Sequence, residues 1–144
     1  MVQEPYIEEY TVAGRDFMAI GEASTQFKAT MKMLGIASDI IRRASIVAYE
    51  AEMNLVLHAG GGTIRLAVYT DRLEIWAIDT GPGIIDIDLA MQEGYSTASD
   101  EVRELGFGAG MGLPNIKRHS DKMKIDSVIG KGTVLSATIF FHKG

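Results

Sequence analysis

A long helix that ends at consecutive glycines constrains the fold more than any other segment. Ser38 or Asp39 is expected to cap its N-terminus, because either side chain can accept hydrogen bonds from the first free backbone amides. Apolar residues then recur at helical spacing as far as His58. The glycine run at residues 60–62 is expected to stop the helix and to form a turn.

This helix carries a polar stripe. Glu50, Asn54 and His58 are spaced four residues apart, so each lies about 40° around the helix axis from the one before it. The rest of the helix is mostly apolar, which indicates that the stripe faces a cleft and not open water. Glu52 points well away from the stripe, and we expect its side chain to be exposed, as most acidic side chains are.

The composition excludes several classes of protein. The chain has 144 residues, 47% of them hydrophobic, so we expect a single domain over residues 1–144. A net charge of −5 and a pI of about 5.1 argue against a nucleic-acid-binding surface, and the lack of cysteine excludes disulfides and thiolate metal sites. No apolar run is long enough for a membrane span, and the N-terminus lacks the pattern of a signal peptide. A soluble cytoplasmic protein is therefore expected.

The remaining patterns indicate the fold class. Five segments have the composition of β-strands, namely residues 6–12, 63–69, 73–78, 123–128 and 133–141. Residues 16–34 carry apolar positions at helical spacing, and residues 86–91 are predicted to form a short helix. The helices cluster between mostly antiparallel strands. We therefore expect an α+β two-layer sandwich, with helices on one face of a mixed, mostly antiparallel sheet.

A sharp turn of sequence Asp79-Thr80-Gly81-Pro82-Gly83 follows the third predicted strand. Glycine lets the backbone approach a flat ligand closely. A carboxylate beside it can accept a hydrogen bond from an exocyclic amine, such as that of adenine. Ordinary turns have the same composition, so this segment alone leaves both interpretations open.

Residues 92–112 form a long segment that is polar at first and rich in glycine at its end. A loop of this length inside a compact domain is usually functional, and we interpret it as a lid. Its glycines lead into Leu113 and Pro114, and proline suits the first turn of a helix. Glycine-rich backbone before a helix start favours phosphate, because free amides and the helix dipole both attract an anion.

Four segments now stand in order: Glu50-x-x-x-Asn54, Asp79-Thr-Gly-Pro-Gly83, Gly106-x-Gly-x-Gly-x-Gly112 and Gly130-Lys-Gly-Thr133. Together they resemble the GHKL ATP-binding fold that gyrase, Hsp90, histidine kinases and MutL share, over about residues 40–141. Within that superfamily the chain most resembles the small serine/threonine kinases of bacterial partner switching. The segments 93–98 and 110–118 look more like the RsbT type of stressosome switch kinase than like the anti-sigma kinases.

The resemblance implies a role for each matching residue, with ATP and Mg²⁺ as the cofactors. Glu50 would be the general base that acts on a serine or threonine hydroxyl. Asn54 would bind Mg²⁺, Asp79 would bind the adenine amine, and Thr133 would support the adenine site. The remaining implied nucleotide contacts are Gly81 and Gly83 under the purine and Gly106, Gly108, Gly110, Met111 and Gly112 around the phosphates.

The implied substrate is a STAS-domain antagonist, and the kinase would bind a second regulatory protein when it is released. That second protein could be a phosphatase, a cyclase or a sigma factor. An anti-sigma factor, whose main output is the capture of a sigma factor, is the alternative function. A histidine kinase catalytic domain and a non-catalytic nucleotide sensor are weaker alternatives. His58 either caps its helix as a cation or lies near phosphate, and Lys117 and Arg118 are surface charges or phosphate contacts.

Overall fold

The computed structural model describes residues 4–84, 91–92 and 112–142. In chain order its elements are β1 (Tyr6–Ala13), a 3₁₀ turn (Phe17–Ala19), α1 (Glu22–Met33), α2 (Ser38–Leu57), β2 (Gly61–Val68), β3 (Arg72–Asp79), α3 (Gly112–His119), β4 (Lys122–Val128) and β5 (Gly132–Phe140). Residues 86–90 of the predicted short helix and nearly all of the predicted lid lie outside the described residues, and residue 91 is in a turn.

The strands form one sheet of order β1-β2-β3-β5-β4. Every neighbouring pair in it is antiparallel, so the described sheet is antiparallel throughout, whereas the sequence predicted a mixed one. The hairpin of β2 and β3 is confirmed, with Thr63 opposite Ile78. This order places the end of β3 directly beside the start of β5.

The helices and the sheet enclose one hydrophobic core. Helix α2 packs against α1, α3 and four of the strands, and its buried face includes Ala44, Val47 and Leu55. Strands β2, β3 and β5 supply the opposite side of the core, including Ile64, Ile75 and Ile139. The predicted α+β two-layer sandwich is therefore confirmed. None of the described helices is long and apolar enough to cross a membrane.

The first helix is shorter than the predicted range of residues 16–34. Gly21 has a φ of 102° and separates the 3₁₀ turn from α1, which begins at Glu22. Glycine adopts this left-handed conformation without the steric cost of a Cβ atom. As the N-cap of α1, Gly21 brings no side chain that could accept a hydrogen bond from the first helical amides.

Glu52 of α2 supplies the missing acceptor. Its Oε2 accepts a hydrogen bond from the Ala23 amide at 3.2 Å, and its Oε1 accepts one from the Ser24 amide at 3.1 Å. Only 2% of Glu52 is exposed, so the prediction of an exposed side chain is wrong. The free amides at a helix N-terminus need acceptors and favour negative charge. The Glu52 carboxylate is buried because it accepts hydrogen bonds from two of these amides.

Two boundaries of the central segment also differ from the sequence prediction. The N-cap of α2 is Ala37, and no side chain caps the helix there, so neither Ser38 nor Asp39 has the predicted capping role. Residues 61 and 62 are not a turn, since they begin strand β2. A Cβ atom on Gly62 would lie 2.3 Å from the carbonyl oxygen of Ile78, so only glycine allows β3 to pass this closely.

Candidate nucleotide and phosphotransfer site

The polar stripe of α2 faces the first turn of α3. Glu50 and Asn54 are both half-buried. A Cβ atom added to Gly112 would lie 3.0 Å from Asn54 Oδ1 and 3.4 Å from Glu50 Oε2. Because Gly112 has no side chain, the backbone of α3 can approach both polar groups. The structure thus brings together a carboxylate, an amide and the last glycine of the glycine-rich segment.

The environment of Glu50 suits a proton acceptor. Burial raises the pKa of its carboxyl group, while a hydrogen bond from Asn115 and the nearby charge of His119 act in the opposite direction. Burial penalises the charged form of an acid, whereas a donor or a cation stabilises it. A carboxylate with a raised pKa is a stronger base than one in open water.

Asn115 and His119 lie on α3 and were given no role by the sequence prediction. Asn115 Nδ2 donates to Glu50 Oε1 over 3.5 Å, and His119 Nδ1 donates to the carbonyl oxygen of Asn115 over 2.8 Å. Both side chains face α2 because they lie one helical turn apart on the same side of α3. Only that helical spacing, read together with the position of Glu50, could have indicated them in advance.

An arginine of α2 holds the far end of α3. Arg43 Nε donates to the carbonyl oxygen of His119, and its terminal nitrogen forms an ion pair with Asp121, both at 3.1 Å. Asp121 Oδ2 in turn accepts from the Phe140 amide of β5 at 2.8 Å. Arg43 and Asp121 are mostly buried, with side-chain exposures of 17% and 13%. Helix α3 is therefore attached to both α2 and the sheet.

The two oxygens of Asp79 have different surroundings. Oδ1 accepts hydrogen bonds from the backbone amides of Gly81 at 2.9 Å and Thr133 at 3.2 Å. Among the residues that the structure describes, no group donates to Oδ2. The backbone donors fix the orientation of the carboxylate, and Oδ2, which has no donor among the described residues, can accept from a ligand amine. Thr133 supports Asp79 through its backbone amide, and the adenine-site role that the resemblance implied for it stays a prediction.

The turn after β3 is also tied to the β4–β5 hairpin. The Ile84 amide donates to Ser127 Oγ at 2.7 Å, and Ser127 Oγ lies 2.9 Å from Thr133 Oγ1. Gly83 has a φ of 81°, and a Cβ atom on it would lie 2.7 Å from the carbonyl oxygen of Val128. Ser127 is a further residue of this site that the sequence prediction missed, because its partners are distant in the chain.

Gly81 connects the Asp79 turn to the end of α2. A Cβ atom on Gly81 would lie 2.5 Å from the carbonyl oxygen of Ala59, so this contact between backbones requires glycine. The neighbouring His58 is the C-cap residue of α2. Burial lowers the pKa of its imidazole, which opposes the predicted cationic cap and favours the neutral form. The Asp79 turn and the polar stripe therefore lie at the same end of the molecule.

Comparisons with known proteins agree with this geometry. Residues 40–143 match the family described as "Histidine kinase-, DNA gyrase B-, and HSP90-like ATPase". The chain belongs to this family. The GHKL resemblance that the four motifs indicated is thus confirmed over almost the same range of residues.

Two relatives indicate which kind of GHKL protein this chain is. The serine/threonine-protein kinase RsbT of Bacillus subtilis is 37% identical over 110 residues, which cover 74% of this chain and 77% of the relative. An anti-sigma F factor of Caldanaerobacter subterraneus is 32% identical over 106 residues, which cover 74% of this chain and 66% of the relative. With these relatives and its GHKL domain, the chain is an ATP-dependent serine/threonine kinase of the partner-switching type.

A solved structure shares the GHKL fold. A chain of the SiaB–SiaC complex from Pseudomonas aeruginosa matches with a TM-score of 0.61 and 15% sequence identity. The match covers 95% of this chain and 90% of that chain. At this identity the likeness bears on the fold alone. Its coverage of the chain is larger than the 40–143 range of the family match.

The described GHKL residues fit ATP and a magnesium ion. The free Oδ2 of Asp79 can accept from the adenine amine, and the side-chain oxygen of Asn54 faces the backbone of Gly112. Among the described residues there is no group of three or more acidic, histidine or cysteine side chains that could hold a metal ion. Magnesium characteristically combines one or two protein ligands with phosphate oxygens and waters, so the chemistry of a single amide oxygen fits that ion.

Several predicted site residues are not described by the structure. Gly106, Gly108, Gly110 and Met111 lie outside the described residues, and their contacts with phosphate stay predictions. Lys117 and Arg118 are exposed on α3. Arg118 donates to Asn115 Oδ1 at 3.1 Å, so it has a protein partner as well as any ligand.

Proposed function

We propose that this kinase transfers the γ-phosphate of ATP to a serine or threonine of a STAS-domain antagonist, with Glu50 as general base and Asn54 as the Mg²⁺ ligand. One observation carries the proposal. The half-buried carboxylate of Glu50 lies beside both Asn54 and the Gly112 backbone, where the phosphates of a GHKL nucleotide would end. A carboxylate at that place can reach the attacking hydroxyl group.

Each residue would have a separate task in the transfer. Asp79, whose carboxylate the Thr133 amide orients, would bind the adenine amine, and the Gly112 backbone would approach the phosphates. The oxygen of the substrate hydroxyl would bond to the γ-phosphorus while Glu50 accepts the hydroxyl proton. ADP would leave as the bond between the γ-phosphorus and the bridging oxygen breaks. Asn54 would hold Mg²⁺, and the bound ion would supply the charge neutralisation at the phosphates that phosphoryl transfer needs.

The relatives support the proposed partner class. One is named a serine/threonine-protein kinase and another an anti-sigma F factor, and kinases of this type act in partner-switching pathways. We therefore propose a STAS-domain substrate and a second regulatory protein, which the kinase binds after release. The second protein would be a phosphatase, a cyclase or a sigma factor.

Labelling tests this function. The parent chain is incubated with γ-³²P-ATP, Mg²⁺ and a lysate of the source organism. Glu50→Gln and a matched control, the exposed α1 variant Glu22→Gln, are assayed separately in the same way. We expect one small protein to be labelled by the parent chain and by Glu22→Gln, with a label that is stable to acid. Equal labelling by Glu50→Gln would contradict the assigned base, and an acid-labile label would indicate phosphohistidine.

The sequence likeness to anti-sigma F factors favours a second candidate function. In that case the main output is the capture of a sigma factor, and phosphotransfer only controls its release. Affinity capture from the same lysate, with ATP and with ADP, distinguishes the two. Recovery of a sigma factor would favour this candidate, whereas recovery of other regulators would favour the first.

A further inference from the structure

Asn115 is the side chain of α3 that directly faces the proposed base. Its Nδ2 donates to Glu50 Oε1 over 3.5 Å, and its Oδ1 accepts from Arg118 at 3.1 Å. The arginine can only donate, so it fixes which end of the amide points toward Glu50. Hydrogen bonds of catalytic groups are often long before substrate binds and shorten in the reacting complex.

The two oxygens of the Glu50 carboxylate consequently face different groups. Oε1 faces the amide nitrogen of Asn115. Oε2 lies 3.4 Å from the position of a Cβ atom on Gly112, in the same region as Asn54 Oδ1. Within the described part of the chain, no group donates a hydrogen bond to Oε2. Among the described residues, α3 thus contacts one oxygen, and the other has no protein donor.

Helix α3 is anchored firmly enough to hold this contact. His119 Nδ1 donates to the carbonyl oxygen of Asn115 at 2.8 Å. Arg43 binds the carbonyl oxygen of His119 and the carboxylate of Asp121. Since Arg43 and Glu50 lie two turns apart on the same side of α2, this helix contacts α3 at both ends.

We propose that Asn115 is a positioning residue, which holds Oε1 of Glu50 so that Oε2 receives the proton of the substrate hydroxyl. This role rests on the proposed function of Glu50 as the general base. Asn115 does not touch the reacting atoms. Its effect is to restrict the carboxylate to one orientation before the substrate arrives, and such restriction lowers the barrier of a proton transfer.

Kinetics of two substitutions test this role. Asn115→Leu removes the donor at similar volume, and Asn115→Asp keeps the shape but places a second carboxylate oxygen beside Glu50. We expect kcat to fall by at least about tenfold in Asn115→Leu, because displacing a catalytic group by about an ångström is costly, and to fall further in Asn115→Asp. The KM for ATP should stay within about twofold, since ATP binding does not use this contact. Gln26→Leu and Gln26→Glu, on the exposed face of α1, are matched controls.

Crystal structures of the nucleotide-free parent chain and of Asn115→Leu give a readout that does not depend on activity. We expect the Glu50 carboxylate to rotate or to occupy two orientations in Asn115→Leu. An unchanged, single orientation would overturn the positioning role, as would a kcat within about twofold of the parent chain. If the parent chain transfers no phosphate at all, the proposed function fails, while the two crystal structures still decide whether Asn115 orients Glu50.

Discussion

At the scale of single residues, three carboxylates differ in the donors that face them. Both oxygens of Glu52 accept hydrogen bonds from backbone amides of α1. One oxygen of Asp79 accepts from two backbone amides, and one oxygen of Glu50 accepts from Asn115. Among the described residues, only Glu50 and Asp79 of these three keep an oxygen without a protein donor. Within the described ranges, the two carboxylates that can act on a ligand are thus the ones with an oxygen that accepts no hydrogen bond from the protein.

Phosphotransfer should depend on pH through Glu50. Burial raises the pKa of this carboxyl group, and only the deprotonated form can accept a proton. The single-turnover rate should therefore fall as pH decreases through a pKa above the ordinary glutamate value of about 4.3. A rate profile from pH 4.5 to 9 at saturating ATP measures this, with Glu50→Gln as the control that should lack the same acid limb. A rate that is constant across this range would contradict the assignment.

Asp79→Asn should weaken ATP binding without disturbing the turn. The amide oxygen can still accept from Gly81 and Thr133, but an NH₂ group then replaces the free Oδ2 and faces the adenine amine. Loss of a hydrogen bond to a charged acceptor costs about 1.5–3 kcal/mol, which corresponds to about a 10- to 150-fold rise in the Kd for ATP.

Isothermal titration calorimetry measures this change. Asp126→Asn, at an exposed position of β4, is the matched control and should bind ATP as the parent chain does. A Kd for Asp79→Asn within about twofold of the parent value would mean that Asp79 does not bind adenine.

At the scale of elements, α2 has two separate polar functions on two of its sides. Glu50 and Asn54 face α3, whereas Glu52 faces the first turn of α1. Residues two positions apart on a helix point in different directions, so one acid can serve the site while its neighbour serves the fold. The same helix thereby fixes α1, α3 and the base relative to one another.

Glu52→Gln should destabilise the protein without removing the nucleotide site. The glutamine amide places an NH₂ group opposite a backbone N–H at the start of α1, which leaves one buried donor unsatisfied. We expect the free energy of unfolding to fall by about 2 kcal/mol, measured by urea denaturation. Glu22→Gln, exposed in the same turn, should change it by less than about 0.5 kcal/mol. Equal stability of Glu52→Gln and the parent chain would contradict the capping role.

At the scale of the whole molecule, the sequence predicted what depends on local pattern. The α+β sandwich, the long helix with Glu50 and Asn54 on one stripe, and the hairpin before Asp79 all follow from periodicity and turn residues. The GHKL motifs then gave the family. Each of these signals lies within a short stretch of chain.

The errors and omissions involve partners that are distant in sequence. Glu52 is buried because α1 lacks a capping side chain at Gly21, which the α2 sequence does not reveal. Asn115 reaches Glu50, and Ser127 reaches Ile84, only after the sheet and helices have assembled. The sequence predicted a turn at residues 61 and 62 because glycine is common in turns. Glycine is also required where two strands pass too closely for a side chain, and that is its role here.

The most direct test of the central claim is the single-turnover rate of phosphotransfer by Glu50→Gln to the purified acceptor protein, measured beside the Kd for ATP. Glutamine keeps the size of the side chain and can still accept from Asn115, but it cannot take a proton. We predict that the rate falls by about 10²- to 10⁴-fold, while the Kd for ATP stays within about twofold. A rate close to that of the parent chain, with ATP still bound, would show that Glu50 is not the base.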